Sequence, residues 1–345
     1  MKILHVLNSN RFSGAENVVC QIAGIYKKCS DVEIVYCSPE GEIREALADR
    51  KITYISVGES LTVSALKNVI EEQTPDIIHA HDMKASFVVS LVCGNVPYIS
   101  HIHNNAFDSR GVSLKSIVYF CAALKAKHIL WVSNSAFNGY KFHKFFEKKS
   151  TVLYNIINEE DLYAKMGKDP NSYMYDVVYV GRLTYPKNPQ RLMKIFSQIV
   201  HDMPKVKMAV IGTGELEEEI RGLCRELKLE ENVTFLGFQK NPLKILHDAK
   251  VMVMTSRWEG MPMCALESIA LGVPIVSTPT DGLKELVING ENGFLSDDDS
   301  VLKDRIVEIV GDNQLHSKLS KNALKTSREI NDVERYKSIL DRIYN

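Results

Sequence analysis

No Cys-x-x-Cys pair occurs in the 345 residues, and the seven cysteines (Cys20, Cys29, Cys37, Cys93, Cys121, Cys224 and Cys264) are odd in number and irregularly spaced. That argues against a disulfide framework and a zinc site, and for a reducing compartment. An excess of one charge is also missing. With 42 basic and 43 acidic residues the net charge is −1, so no nucleic-acid partner is expected. No apolar run approaches the ~18 residues of a membrane span. The N-terminal MKILHVLNSN lacks a signal-peptide apolar stretch, so a cytoplasmic location is expected. There is no fixed-period repeat. What is present is a globular composition, 45% hydrophobic and 25% charged, in a chain too long for one ordinary core.

Short apolar runs alternate with longer helical patterns. Strands are predicted at Ile3–Leu7, Val32–Cys37, Thr53–Val57, Ile77–His79, Tyr98–His101, His128–Val132 and Thr151–Leu153. A polar segment, GKDPNSYMY (Gly167–Tyr175), then reads as a linker before the pattern restarts at Val177–Val180, Lys207–Ile211, Val233–Leu236, Val251–Met254 and Pro274–Ser277. Such alternation implies α/β architecture with doubly wound parallel sheets. The expected division is residues 1–166, a linker at 167–175, a second domain at 176–328 and a final helix at 329–345. Ligands of open α/β sheets bind beyond the carboxyl ends of the strands, so candidate residues belong in the loops there.

The most informative loop is TSRWEGMPMCALESIALGVPIVS, residues 255–277. Glu259 and Glu267 bracket seven residues, and Pro262 suits the first position of a helix that Gly272 ends. A loop carboxylate and a helix carboxylate can converge on a polyol, because carboxylates only accept hydrogen bonds and sugars offer many donors. Upstream, GRLTYPKN follows the strand Val177–Val180 and sets Arg182 and Lys187 five residues apart. A guanidinium fork and an ammonium point charge suit a diphosphate. Gly212-Thr213-Gly214 lacks the third glycine of a dinucleotide fingerprint, which disfavours an NAD-dependent dehydrogenase; it reads as a strand-to-helix turn.

The Glu-x7-Glu spacing resembles that of the family 4 retaining glycosyltransferases, as do Glu259-Gly260-Met261-Pro262, Gly272-Val273-Pro274-Ile275-Val276, Gly282-x-x-Glu285 and Asn292-Gly293-Phe294. The resemblance implies the GT-B fold, two Rossmann-like domains facing a central cleft, with the last helix returning to the first domain. It implies a nucleotide-diphosphate sugar donor, UDP-linked, and a saccharide or lipid-linked saccharide acceptor in extracellular or capsular polysaccharide assembly. By the same resemblance Glu267 holds the ribose, Arg182 and Lys187 grip the diphosphate, and Gly260, Met261, Pro262 and the helix end at Gly282 line the donor site. Glu259 and His103 contact the transferred sugar. Gly14 closes a phosphate loop in which Ser13 replaces a family glycine, and Asp281 departs from the family's glycine pair. His101, Asn104 and Asn105 are further sugar contacts. The alternatives of the same fold are a nucleotide-sugar epimerase and a non-catalytic sugar-nucleotide binder.

His79 and His81, and His101 and His103, alternate along strands, yet no recognised ligand motif accompanies them, so no metal and no resident cofactor are expected. Lys141–Lys149 (KFHKFFEKK) interleaves lysines with phenylalanines and is a candidate for peripheral membrane contact; the plainer reading packs the rings inward and leaves the lysines solvated.

Overall fold

A parallel strand covered on both faces needs an apolar residue at nearly every position, and the runs around Ile77 and Tyr98 come close to this. All five residues of Ile77–His81 and of Tyr98–Ile102 are buried. The computed structural model describes residues 1–12, 14–103 and 109–345, which form two units: Met1–Ile156 with Val333–Asn345, and Ile157–Asp332.

The first unit carries β1 (Lys2–Val6), β2 (Glu33–Ser38), β3 (Thr53–Ser56), β4 (Ile77–His81), β5 (Tyr98–Ile102), β6 (His128–Trp131) and β7 (Ser150–Val152), in the order β3-β2-β1-β4-β5-β6-β7. All pairings are parallel, and the register sets His5 beside His79 and His81 beside His101. The second unit carries β8 (Val177–Val180), β9 (Met208–Ile211), β10 (Val233–Gly237), β11 (Val251–Met254), β12 (Ile275–Ser277) and β13 (Gly293–Leu295), parallel in the order β10-β9-β8-β11-β12-β13. Both orders reverse beside the first strand of the unit, at β1/β4 and at β8/β11, the position where doubly wound sheets bind ligands. The second unit's core is aliphatic and aromatic. The helix Pro189–Asp202 contributes Leu192, Met193, Phe196 and Ile199 from one face.

Several boundaries differ from those expected. The first unit ends at Ile156, not at 166, because the helix Glu159–Met166 docks on the second unit: Tyr163 Oη donates to the Ala270 carbonyl at 2.9 Å and Asn241 Nδ2 donates to that of Lys165 at 2.8 Å. The segment 167–175 therefore lies within the second unit, which runs to Asp332 and not to 328. The helix Val333–Tyr344 packs on the first unit, where Tyr26 Oη donates to Asp341 Oδ1 at 2.6 Å and Tyr344 Oη meets His79 Nδ1 at 2.8 Å. The strand β13 escapes sequence reading because it is three residues long and opens on Gly293, whose bare Cα lets it lie against the backbone of Ile275.

Among the described residues no helix is long and apolar enough to cross a membrane. The stretch Lys141–Lys149 contains a 3-10 helix over His143–Lys149, with Phe146 buried and both Phe142 and Phe146 packed on Phe120. Its outward apolar group is Phe145. The neighbouring helix Leu114–Lys125 presents more: Leu114, Ile117 and Leu124 are 80%, 46% and 59% exposed.

Candidate functional site

In the second unit the reversal of the sheet is framed by the loop after β8, residues 181–188, and the loop after β11, residues 255–262. Gly212 and Gly214 shape the first loop. A Cβ on Gly212 would sit 2.1 Å from the Gly181 carbonyl oxygen, and one on Gly214 2.2 Å from that of Leu183. Gly212 also has φ +128, a conformation that favours glycine. Leu183 N donates to Thr213 O at 3.0 Å and Leu216 N returns a bond to Leu183 O. The Gly-x-Gly turn is thus the backbone support of the Gly181-Arg182-Leu183 turn.

The two loops are tied together. Arg257 N donates to Pro186 O at 2.7 Å, Thr255 Oγ1 donates to Asn188 O at 3.0 Å, and the Arg257 guanidinium lies over the Tyr185 ring. Across this tie Lys187 Nζ donates to Glu259 Oε1 at 2.5 Å, and Ser256 Oγ donates to the same oxygen at 2.6 Å. Burial alone would push Lys187 down, but the Glu259 carboxylate and Cys264 together outweigh it and hold the ammonium above its usual range. The Arg182 guanidinium, exposed to solvent, opposes that rise, so the two cations lie within each other's field.

Glu267 lies on the helix Met263–Ala270, one turn after Cys264. Burial pushes the Cys264 thiol up to about 12, with Lys187 lowering it and Glu259 and Glu267 raising it. Both glutamates and Lys187 therefore act on one point. Pro262 caps that helix from just outside, with ψ 126, one residue earlier than its expected first-turn position. Gly260, Met261 and Pro262 are buried. Gly282 fixes their backbone: a Cβ there would fall 1.3 Å from Gly260 O. The helix that bears Gly282 runs over Asp281–Leu286, so Gly282 lies in its first turn. Sequence reasoning missed Ser256, whose only signal is its position three residues before Glu259.

In the first unit the same reversal is filled by imidazoles. His5, His79, His81 and His101 are fully or almost fully buried, and His103 is half-buried. His5 Nδ1 meets His81 Nε2 at 2.9 Å, His81 Nδ1 meets His103 Nε2 at 2.8 Å, and His79 Nε2 meets His101 Nδ1 at 3.2 Å. Burial pushes His5 and His103 down to about 3, and His79, His81 and His101 well below their usual range, so all five are neutral at pH 7. Asp82 follows His81 with a left-handed φ of 66, and its Oδ1 accepts from His103 N at 3.0 Å. Burial raises the Asp82 carboxyl to about 6 against the lowering effects of that N–H and of Lys115. Sequence reasoning missed His5, which joins the others only through strand order.

Gly14 opens the helix Gly14–Tyr26, and a Cβ there would meet nothing within 4 Å. No left-handed turn requires this glycine. The expected sugar contacts Asn104 and Asn105 lie outside the described residues, as does Ser13.

Residues 165–326 match the family model described as glycosyl transferases group 1, and residues 12–161 match that of glycosyltransferase family 4. An uncharacterized glycosyltransferase of Methanocaldococcus jannaschii is 27% identical over 61% of the chain and 57% of its own length, so the match spans little more than half of that protein. The Escherichia coli UDP-Gal:alpha-D-GlcNAc-diphosphoundecaprenol alpha-1,3-galactosyltransferase is 26% identical over 99% of the chain and 96% of its own length. Among solved structures, Anabaena HepE in complex with UDP-glucose superposes with a TM-score of 0.86 at 22% identity, covering 99% of the chain and 98% of HepE.

Proposed function

Because the chain belongs to the family 4 glycosyltransferases, with two Rossmann-like domains of the GT-B type, we propose that it moves a sugar from a UDP-sugar to a saccharide or lipid-linked saccharide acceptor, retaining the anomeric configuration and using no metal cofactor. The observation that carries this reading is the Lys187–Glu259 pair at the reversal of the second sheet, with the exposed Arg182 in its field. Support comes from the names of similar proteins, which include a UDP-galactose enzyme acting on a diphosphoundecaprenol-linked sugar and a UDP-glucose complex.

Arg182 and Lys187 neutralise the diphosphate. The Lys187 ammonium has three donors, so it can keep Glu259 and take a phosphate oxygen. Glu259 then presents its remaining lone pairs to hydroxyls of the transferred sugar, and Glu267 does the same for the ribose. In the first unit His103 has the sugar contact that the family resemblance implies. As the bond from the anomeric carbon to the phosphate oxygen breaks, the acceptor oxygen bonds to that carbon and its proton passes to the departing phosphate. The largest contribution is stabilisation of the charge that develops on the diphosphate.

The peripheral membrane contact proposed for Lys141–Lys149 keeps Phe145 as its exposed apolar group, and we extend it to Leu114, Ile117 and Leu124 of the neighbouring helix, flanked by Lys115 and Lys125; apolar groups rimmed by cations suit an anionic bilayer.

The test is calorimetry with UDP and a transfer assay with UDP-sugars. Arg182→Ala should weaken UDP binding by roughly 1.5–3 kcal/mol, the range of a charged hydrogen bond, and EDTA should leave the rate unchanged. Unaltered UDP affinity would remove Arg182 from the phosphate site. Donor turnover without any acceptor would point to epimerisation instead.

A further inference from the structure

Five imidazoles in one core are a costly way to fill space. Among the described residues three of their nitrogens, His5 Nε2, His101 Nε2 and His103 Nδ1, are buried without a hydrogen-bond partner. An orphaned buried polar atom costs free energy that an aliphatic side chain would not. Neutral imidazole is also the commonest metal ligand among side chains. Two sets of three, His5–His79–His81 and His81–His101–His103, each bring one nitrogen per residue within 4.8 Å of the others.

We propose that His81, His101 and His103 form a binding site for one divalent transition-metal ion of the zinc type. Access favours this set over the other, and its orphaned His101 Nε2 is free to ligate because His101 Nδ1 is held by His79. His103 is half-buried and gives an ion a way in, whereas His5 and His79 are fully enclosed. The set also has outer support. His101 Nδ1 bonds to His79 Nε2, whose Nδ1 bonds to Tyr344 Oη, and His81 Nε2 bonds to His5 Nδ1. A ligating histidine ordinarily directs its second nitrogen to such a partner, which fixes the ring and raises its basicity. Two nitrogens on one tetrahedral ion stand roughly 3.3 Å apart. The 2.8 Å between His81 Nδ1 and His103 Nε2 needs only a small opening of two rings. The remaining position of a three-histidine ion stays open to water.

This site shares His103 with the sugar contact proposed above, but its test does not use transfer activity. Untagged protein stripped with EDTA is titrated with ZnCl2 by calorimetry and melted with and without the ion. The expected result is one saturable equivalent, a rise in Tm of about 5 °C at a hundredfold excess over Kd, and no response to MgCl2. His101→Phe, which keeps the ring volume without the ligand, should lose more than the ten- to hundredfold that an outer partner is worth. Circular dichroism of the metal-free variant checks its fold. If it does not fold, His103→Phe, at the half-exposed end, gives the same reading. Absence of saturable Zn2+ binding to the unaltered protein would overturn the proposal, as would undiminished affinity in a folded His101→Phe or His103→Phe. Loss in His5→Phe with retention in His101→Phe would move the ion to the other triad and overturn the assignment.

Discussion

The two units wind alike, β3-β2-β1-β4 in one and β10-β9-β8-β11 in the other, yet they fill the reversal of the sheet with opposite chemistry. In the first, histidines of three neighbouring strands and the residue just beyond them pack ring against ring without charge. In the second, Lys187 and Glu259 project from loops and meet as an ion pair. The walled-in imidazoles have no opposing charge and stay neutral, whereas Lys187 keeps its charge beside the Glu259 carboxylate. One architecture thus supplies two electrostatic environments, according to whether a buried polar residue meets an opposite charge.

The comparison can be broken most severely at Glu259. Glu259→Ala leaves the largely buried Lys187 without its anion, at a cost of about 3 kcal/mol. It should also reduce transfer by more than about 100-fold, while a denaturant melt and a kinetic assay separate the two losses. Unchanged turnover would take Glu259 out of the mechanism. Next is glycine chemistry. Gly282→Ala places a methyl 1.3 Å from Gly260 O and should destabilise the second unit by roughly 1–3 kcal/mol. Gly14→Ala in the first unit has open space and should leave the Tm unchanged or slightly raised.

Acid should separate the units further. The depressed histidines bind protons more readily in the unfolded chain, so their contribution is present above about pH 6.5 and is lost as pH falls from there towards 3. Asp82, raised to about 6, runs the other way: its contribution is fully present below 3.8 and lost as pH rises through 6. One carboxyl offsets only part of five imidazoles. Trp131 lies in the first unit and Trp258 in the second, so single-tryptophan variants report each melt separately. The Trp131 transition should fall between pH 7 and pH 5 while that of Trp258 holds; parallel shifts would contradict the contrast. The smallest effect is expected on the surface. Ile117→Asp with Leu124→Asp should weaken binding to anionic vesicles by about tenfold, as two buried apolar groups are lost, and leave UDP affinity as it was.

The second unit's site was largely legible in the sequence because its residues sit in two motifs at the ends of consecutive strand patterns: Arg182 and Lys187 after β8, Glu259 and Glu267 after β11. The support behind them was not. Gly212 and Gly214 read as a turn of their own, since nothing in a linear chain says that they rest on Gly181 and Leu183. The first unit's cluster was half legible. The paired histidines of β4 and β5 stand out by alternation, but His5 joins them only when β1 is known to lie beside β4, more than seventy residues away in sequence. The domain edge at Ile156 was hidden for a similar reason: the helix Glu159–Met166 carries no mark of the surface it docks on, whereas the polar stretch after it looks like a linker.

The helix Val333–Tyr344 belongs to the first unit although the whole of the second precedes it in the chain. During vectorial synthesis the N-terminal sheet therefore emerges from the ribosome long before His79 and Tyr26 can find Tyr344 and Asp341. Until then that half must persist as an unfinished nascent domain, with two core polar groups waiting on residues not yet translated.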